Sequence, residues 1–222
     1  MHSLKIGFLI FPGITPLDAL GPAQFLARVP GAEVFTIWKN LEVISTDAGF
    51  NLVPNTTLNE CPQLDVLCVP GGFGTEALMQ DEEVLSFIRQ QAPKLTYLTA
   101  VCTGSLVLGA AGLLKGKKAT THWAWHDKLS ALGAVPTKAR VVSDGNLMTG
   151  GGVTAGIDFG LSLIAKLVGD DAAKLVQLGM EYDPQPPFDS GSPDKASSED
   201  VAFIKKSLIE RARKFEQSLT HE

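Results

Sequence analysis

Three cysteines stand in the chain, and one of them occupies a position where sulfur could act as a nucleophile. Cys102 ends the apolar run Tyr97-Leu98-Thr99-Ala100-Val101 and precedes Thr103-Gly104, where helical spacing begins. A tight strand-to-helix turn projects its side chain at the rim of a sheet, as nucleophile elbows do. The free N–H groups and positive end of the following helix favour a thiolate there. A free thiol of pKa about 8.5 is only a few per cent ionised at neutral pH, so placement decides reactivity. Cys68 lies inside another apolar run and Cys61 precedes Pro62, and both read as inert small hydrophobes.

Other residues could complete a site around that sulfur. Pro70-Gly71-Gly72-Phe73-Gly74 follows a second apolar run, and glycines let backbone N–H groups come close to a ligand, as an oxyanion-type pocket requires. No Gly-Lys-Ser/Thr follows, so this is not a phosphate loop. Asp18 falls in the first turn after the first apolar run and can reach the same rim. It also fits a capping box, with Thr15 as N-cap, Pro16 at N1 and Asp18 reaching back from N3. The two roles are compatible. An ionised Asp18 beside Cys102 opposes thiolate formation, and the chemistry works if the pair shares one proton. His122 and His126, four apart, suit a metal on a helix, but no third ligand lies near in sequence and no metal is expected. His122 is left as either a base for Cys102 or a structural imidazole. Gly150-Gly151-Gly152 reads as close packing of the next helix at least as well as ligand contact.

These residues need a scaffold that brings chain positions 18, 72 and 102 together. Residues 5–11, 33–38, 65–69 and 96–101 read as buried strands, because their apolar runs do not alternate with polar residues. A helix start is read at Thr15-Pro16-Leu17-Asp18, and helices at 81–91, 104–111, 154–168 and 172–180, with a short helix expected between His122 and Leu132. Residues 43–53 suggest a peripheral hairpin, and Asp144-Gly145 a hairpin turn within 141–148. Alternating strands and helices imply crossovers, and hence an α/β three-layer sandwich on a mostly parallel sheet. Ligands bind at the carboxyl ends of such strands, which singles out the segments after Phe11, Val69 and Val101. Residues 1–183 form that α/β unit. Residues 184–222 form a Pro-rich segment and a C-terminal amphipathic helix, opened by Ser197-Ser198-Glu199-Asp200 and striped with Val201, Ile204, Leu208, Ala212, Phe215 and Leu219.

Composition narrows the partners. Among 222 residues, 45% are hydrophobic and 19% charged, enough for one sizeable core. A formal charge of −5 argues against nucleic acid or an anionic membrane as the main partner. The longest apolar runs are too short to span a bilayer, and the opening residues lack a signal-peptide cleavage site. An odd cysteine count without C-x-x-C excludes a disulfide framework and points to a reducing, cytoplasmic setting.

Ala100-Val101-Cys102-Thr103-Gly104-Ser105, then Leu108-Gly109-Ala110-Ala111-Gly112-Leu113-Leu114 and Ala119-Thr120-Thr121-His122-Trp123, resemble the ThiJ/PfpI superfamily. Within it the isonitrile (isocyanide) hydratases are most similar, on Asp18 together with Cys-Thr-Gly. Leu17-Asp18-Ala19-Leu20-Gly21-Pro22, Val69-Pro70-Gly71-Gly72 and Ala155-Gly156-Ile157-Asp158-Phe159 support the match, which runs to about residue 194. The resemblance implies a flavodoxin-like fold with a nucleophile elbow, a homodimer with Cys102 near the subunit interface, and no metal or organic cofactor. It implies Cys102 as nucleophile, Asp18 as its acid/base partner and hydration of an isocyanide to an N-substituted formamide. Thr103 and the Gly72 amide would orient the intermediate. Gly71, Gly72, Phe73 and Trp123 would bind the substrate, the two aromatic rings making an apolar pocket. Thr103 stands where peptidase-like members carry His, which weakens a peptidase role. Asp18 stands where many relatives carry Glu, which counts against a glyoxalase or deglycase. Those two activities and a redox or ligand sensor remain the alternatives. The chain also resembles the ligand-sensing half of AraC-type regulators, but the helix-turn-helix motifs those require are not seen.

Overall fold

The structure is a computed structural model that describes residues 3–219; the side chain of Leu219, expected on the terminal apolar stripe, lies outside the described residues. In chain order its elements are β1 (Leu4–Leu9), α1 (Pro16–Leu26), β2 (Ala32–Trp38), β3 (Ile44–Ser45), β4 (Asn51–Leu52), β5 (Thr56–Thr57) and β6 (Val66–Val69). There follow α2 (Thr75–Leu78), α3 (Glu82–Gln91), β7 (Tyr97–Val101), α4 (Gly104–Ala110), β8 (Lys118–Ala119), α5 (Lys128–Ala131) and β9 (Val135–Pro136). The chain closes with β10 (Val141–Asp144), β11 (Leu147–Gly150), α6 (Ala155–Val168), α7 (Asp170–Gly179) and α8 (Ser198–Leu219).

Seven strands make one sheet in the order β10-β11-β7-β6-β1-β2-β5, parallel except for the β10–β11 hairpin. Counted along the chain, the five main parallel strands lie in the order 2-1-3-4-5, the flavodoxin-like arrangement. The expected three-layer α/β sandwich is therefore what forms. Successive crossovers step one way from β1 to β2 and the other way from β6 to β7. Right-handed connections then put α1 and α3 on opposite faces. The order reverses between β1 and β6, where Ile6 pairs with Val66 and Phe8 with Cys68. That reversal opens a crevice at the carboxyl ends of β1, β6 and β7.

Burial explains why the strands read as unbroken apolar runs. Ile6, Phe8, Leu9, Val66, Leu67, Cys68 and Val69 are all completely buried, covered on both faces. On one face α1 crosses α6 closely, because Gly156 and Gly160 leave room for the Pro22 ring; a Cβ at either would sit 3.2–3.3 Å from it. Pro22 is inside α1, where it sacrifices one backbone bond to make this contact.

Several boundaries differ from the sequence reading. The helix expected after His122 is a 3-10 turn over Trp123–Trp125 followed by the four-residue α5. The break between α6 and α7 comes at Gly169, whose φ of 97° ends one helix, so α7 starts at Asp170 rather than Ala172. The Thr15 capping box does not form: its hydroxyl donates to Asp47 instead, at 2.6 Å. The cap of α8 does form, with the Asp200 N–H donating to Ser197 Oγ at 3.1 Å.

α8 packs back on its own chain across the carboxyl ends of the strands. Phe215 lies directly against Gly13, leaving no room there for a side chain, and Lys205 pairs with Asp127 at 3.2 Å. Among the described residues, no helix is long and apolar enough to cross a membrane.

Candidate active site

The loop after β1 is knitted to its neighbours before any functional side chain is placed. Thr15 N–H donates to Gly71 O at 2.9 Å, Gly13 N–H to Ser45 O at 2.9 Å, and Asp47 N–H to Ile14 O at 3.0 Å. These bonds hold the segment after β1, the glycine loop after β6 and the β3–β4 hairpin as one rim.

Cys102 is held in the left-handed region with φ 57°, which costs an L residue about 1–2 kcal/mol. Its neighbours fix that conformation. The Cys102 N–H is shared by Gly151 O at 2.8 Å and Gly150 O at 3.1 Å, and its carbonyl accepts the Thr121 hydroxyl at 2.7 Å. Gly104 must be glycine, since a Cβ there would collide with Val69 O. The glycine triplet that ends β11 thus shapes the elbow as well as packing α6.

The expected solvent-facing, ionised sulfur is not what this turn produces. Cys102 is 5% exposed and lines a cavity of about 290 Å3 rather than standing at the open surface. Burial and the neighbouring Asp18 carboxylate push its pKa well above the ordinary thiol value. The backbone N–H groups of Thr103 and Val153 work in the other direction but do not prevail. A seven-residue helix contributes little field against full desolvation of a charge. The thiol is therefore protonated at neutral pH.

Asp18 is completely buried. Its Oδ2 accepts the Gly71 N–H at 2.9 Å, while Oδ1 has no hydrogen-bond partner. Burial raises its pKa from 3.8 to about 7, against the lowering effects of the Gly71 amide and the Cys102 thiol beside it. Carboxyl and thiol adjoin each other, and near pH 7 the pair passes between holding two protons and holding one. Gly71 is required by this geometry, because a Cβ would sit 2.6 Å from Thr103 N and 2.9 Å from Asp18 Oδ2.

The two glycine amides expected to face a ligand are already engaged. Gly71 N–H serves Asp18, and Gly72 N–H donates to Thr103 Oγ1 at 3.1 Å. Thr103 Oγ1 also bonds Thr75 Oγ1 at 2.8 Å, so its hydroxyl braces the glycine loop. The N–H groups that face the sulfur are those of Thr103 and Val153.

The cavity places the remaining candidates. Cys102, Thr103, Gly72 and Phe73 line it, whereas Trp123 does not. Trp125 and His122 take that wall, because in a 3-10 turn residues three apart share a face. Their rings meet edge to face with centroids 5.3 Å apart. His122 Nδ1 accepts the Ala124 N–H at 3.2 Å, and burial lowers its pKa to about 4, so it is neutral at working pH. That fits a shaping role better than a base. His126 is not beside it on a metal-binding helix face, and among the described residues no three His, Cys, Asp or Glu cluster as a metal site would require. Cys68 is sealed within β6 and Cys61 is half-buried, their pKa values raised by burial to about 12 and 11.

Sequence reasoning did not find Val153, Asp47, Leu208, Arg211 or Trp125 on this wall. The Gly150-Gly151-Gly152 run was the available signal for Val153. Nothing in the spacing of 15 and 47, or of 73 and 211, connects those residues before folding.

The DJ-1/PfpI family model matches residues 4–166. "Isonitrile hydratase" of Pseudomonas putida is 57% identical over 212 residues, covering 96% of this chain and 90% of its own. "Protein DJ-1alpha" of Drosophila melanogaster is 31% identical over 173 residues, covering 76% of this chain and 77% of its own. A crystal structure of a ThiJ/PfpI family protein from Pseudomonas syringae superposes with TM-score 0.92 at 44% identity, covering 97% of this chain and 90% of that one.

Proposed function

The chain belongs to the DJ-1/PfpI family, and from that premise we propose that it is an enzyme that adds water to isocyanides, giving N-substituted formamides through Cys102 and Asp18. The observation that carries this reading is the buried thiol–carboxyl pair, poised near neutrality to share a single proton, with Cys102 lining a largely apolar cavity.

The terminal carbon of R–N≡C accepts a soft nucleophile if a proton reaches that carbon as the bond forms. In the one-proton state Asp18 takes the thiol proton as sulfur attacks, and the Thr103 and Val153 amides face the charge that develops. Asp18 then gives this proton to the carbon, leaving a thioimidate, R–N=CH–S–Cys102. The carboxylate so regenerated draws a proton from water as its oxygen adds to the carbon, and that proton ends on nitrogen. Collapse forms the C=O bond, breaks C–S and returns the hydroxyl proton to sulfur by way of Asp18. The sum is R–N≡C plus water to R–NH–CHO, with no oxidant or cofactor consumed. A homodimer, which the resemblance implies, and a cytoplasmic setting, which the cysteine usage suggests, accompany this proposal.

Cys102→Ala should abolish formamide formation from a simple aryl isocyanide, and wild-type protein quenched during turnover should carry the thioimidate mass on Cys102. Turnover retained by the alanine variant would remove the covalent route. A glyoxalase or deglycase activity is separated by supplying methylglyoxal and measuring lactate.

A further inference from the structure

Two charged side chains line the cavity that Cys102 faces, Asp47 and Arg211. Asp47 is engaged, accepting the Thr15 hydroxyl at 2.6 Å. Arg211 is not. Its guanidinium carbon lies 4.7 Å from the centre of the Phe73 ring, and among the described residues its N–H donors make no hydrogen bond or ion pair. Stacking on an aromatic face holds the guanidinium plane and leaves its edge, a planar fork of donors, open. The rest of the wall is largely apolar, with Phe73, Trp125, Val153 and Leu208. At about 290 Å3 the space is at the small end for organic ligands.

Arg211 and Leu208 both come from α8, beyond residue 166 where the family model ends. The Pseudomonas putida relative covers 96% of this chain and the Drosophila one 76%. The cation is therefore carried on a segment outside what the broad family defines, and is held over the loop that carries Gly71 and Gly72.

We propose that Arg211 is a specificity-determining residue, selecting isocyanides whose R group carries a carboxylate that its open donor fork can take while the isocyanide carbon faces Cys102. This rests on the isocyanide reading above. A guanidinium fork matches a carboxylate in two parallel hydrogen bonds. A single cation with Asp47 nearby suits one negative charge better than two. Asp47 opposes any anion in the same space, so its removal strengthens the preference.

The matched probes are 4-isocyanobenzoate and its methyl ester, given to the full chain with formamide product quantified for each. The readout is the ratio of kcat/KM for acid over ester, relative to the same ratio in wild type, which cancels intrinsic reactivity and overall loss of folded protein. Arg211→Gln should lower that ratio about three- to fivefold, the upper end for an exposed ion pair, with Arg211→Lys between it and wild type. Asp47→Asn should raise it. In wild type the preference for the acid should shrink as salt is raised, since the pair sits at the cavity mouth. A ratio in Arg211→Gln within about twofold of wild type, or a salt-independent preference, overturns the role of Arg211 and leaves hydration standing. Absence of formamide from both probes in wild type overturns the hydration reading itself.

Discussion

Replacing Asp18 with Asn should stabilise the fold at alkaline pH while stopping turnover, and the size of the gain follows from burial. The carboxyl is completely buried, and its pKa stands at about 7 against 3.8 for the ordinary group. Holding it ionised in the folded state therefore costs about 4 kcal/mol relative to the unfolded chain. Below pH 4 both states are protonated and the cost vanishes. Between pH 4 and 7 the folded protein binds the extra proton, so stability falls as pH rises through this window and levels off above it. Asn has nearly the same shape, and its carbonyl oxygen can still accept the Gly71 N–H, but it never ionises. Urea unfolding should thus find the variant's stability relative to wild type higher by about 3–4 kcal/mol at pH 8 than near pH 4, with any imperfect amide fit a constant offset at both. A stability difference independent of pH would refute a carboxyl that titrates near neutrality, and with it the shared proton.

Three further outcomes follow from the same geometry. kcat/KM should rise with pH to a plateau with an apparent pKa near 7, as the pair passes from two protons to one; a flat profile between pH 5 and 8 would contradict this. In Asp18→Asn the Cys102 thiolate, followed by ultraviolet absorbance in a background with Cys61 and Cys68 replaced by Ala, should appear at lower pH than with Asp18 present, because the neighbouring charge is gone; an unchanged titration would contradict the coupling. Gly71→Ala should lose activity and roughly 2–4 kcal/mol of stability, since its methyl would sit 2.6 Å from Thr103 N; calorimetry showing an unchanged Tm would mean the loop yields more easily than its bonds suggest.

Much of this molecule was legible in its sequence because parallel strands buried on both faces write themselves as unbroken apolar runs. The 2-1-3-4-5 order then brings positions 18, 72 and 102 to one crevice, although they are far apart in the chain. The chemistry of the sulfur was legible in place but not in state. A helix start after Cys102 suggested a thiolate, yet desolvation outweighs the field of seven residues. Trp123 and Trp125 exchanged roles because the local turn is 3-10, a difference of pitch that periodicity over five residues does not resolve. The Thr15 cap was misread for a different reason. Its hydroxyl had a choice between a local backbone N–H and the distant Asp47 carboxylate, and only the tertiary fold supplies the second.

The twist in the backbone at Cys102 sets one amino acid apart as the natural tenant of this site, and it is not the one present. Glycine alone reaches φ 57° without steric cost, so at this position the usual ranking of alanine over glycine should invert by about 1 kcal/mol. A library varied at codon 102 and selected purely for folded yield should drift toward glycine and away from valine, isoleucine and threonine. The same library selected for growth on an isocyanide should keep cysteine. Folding alone and chemistry thus ask for different residues at this one turn, and the strained backbone at Cys102 measures the distance between the two demands.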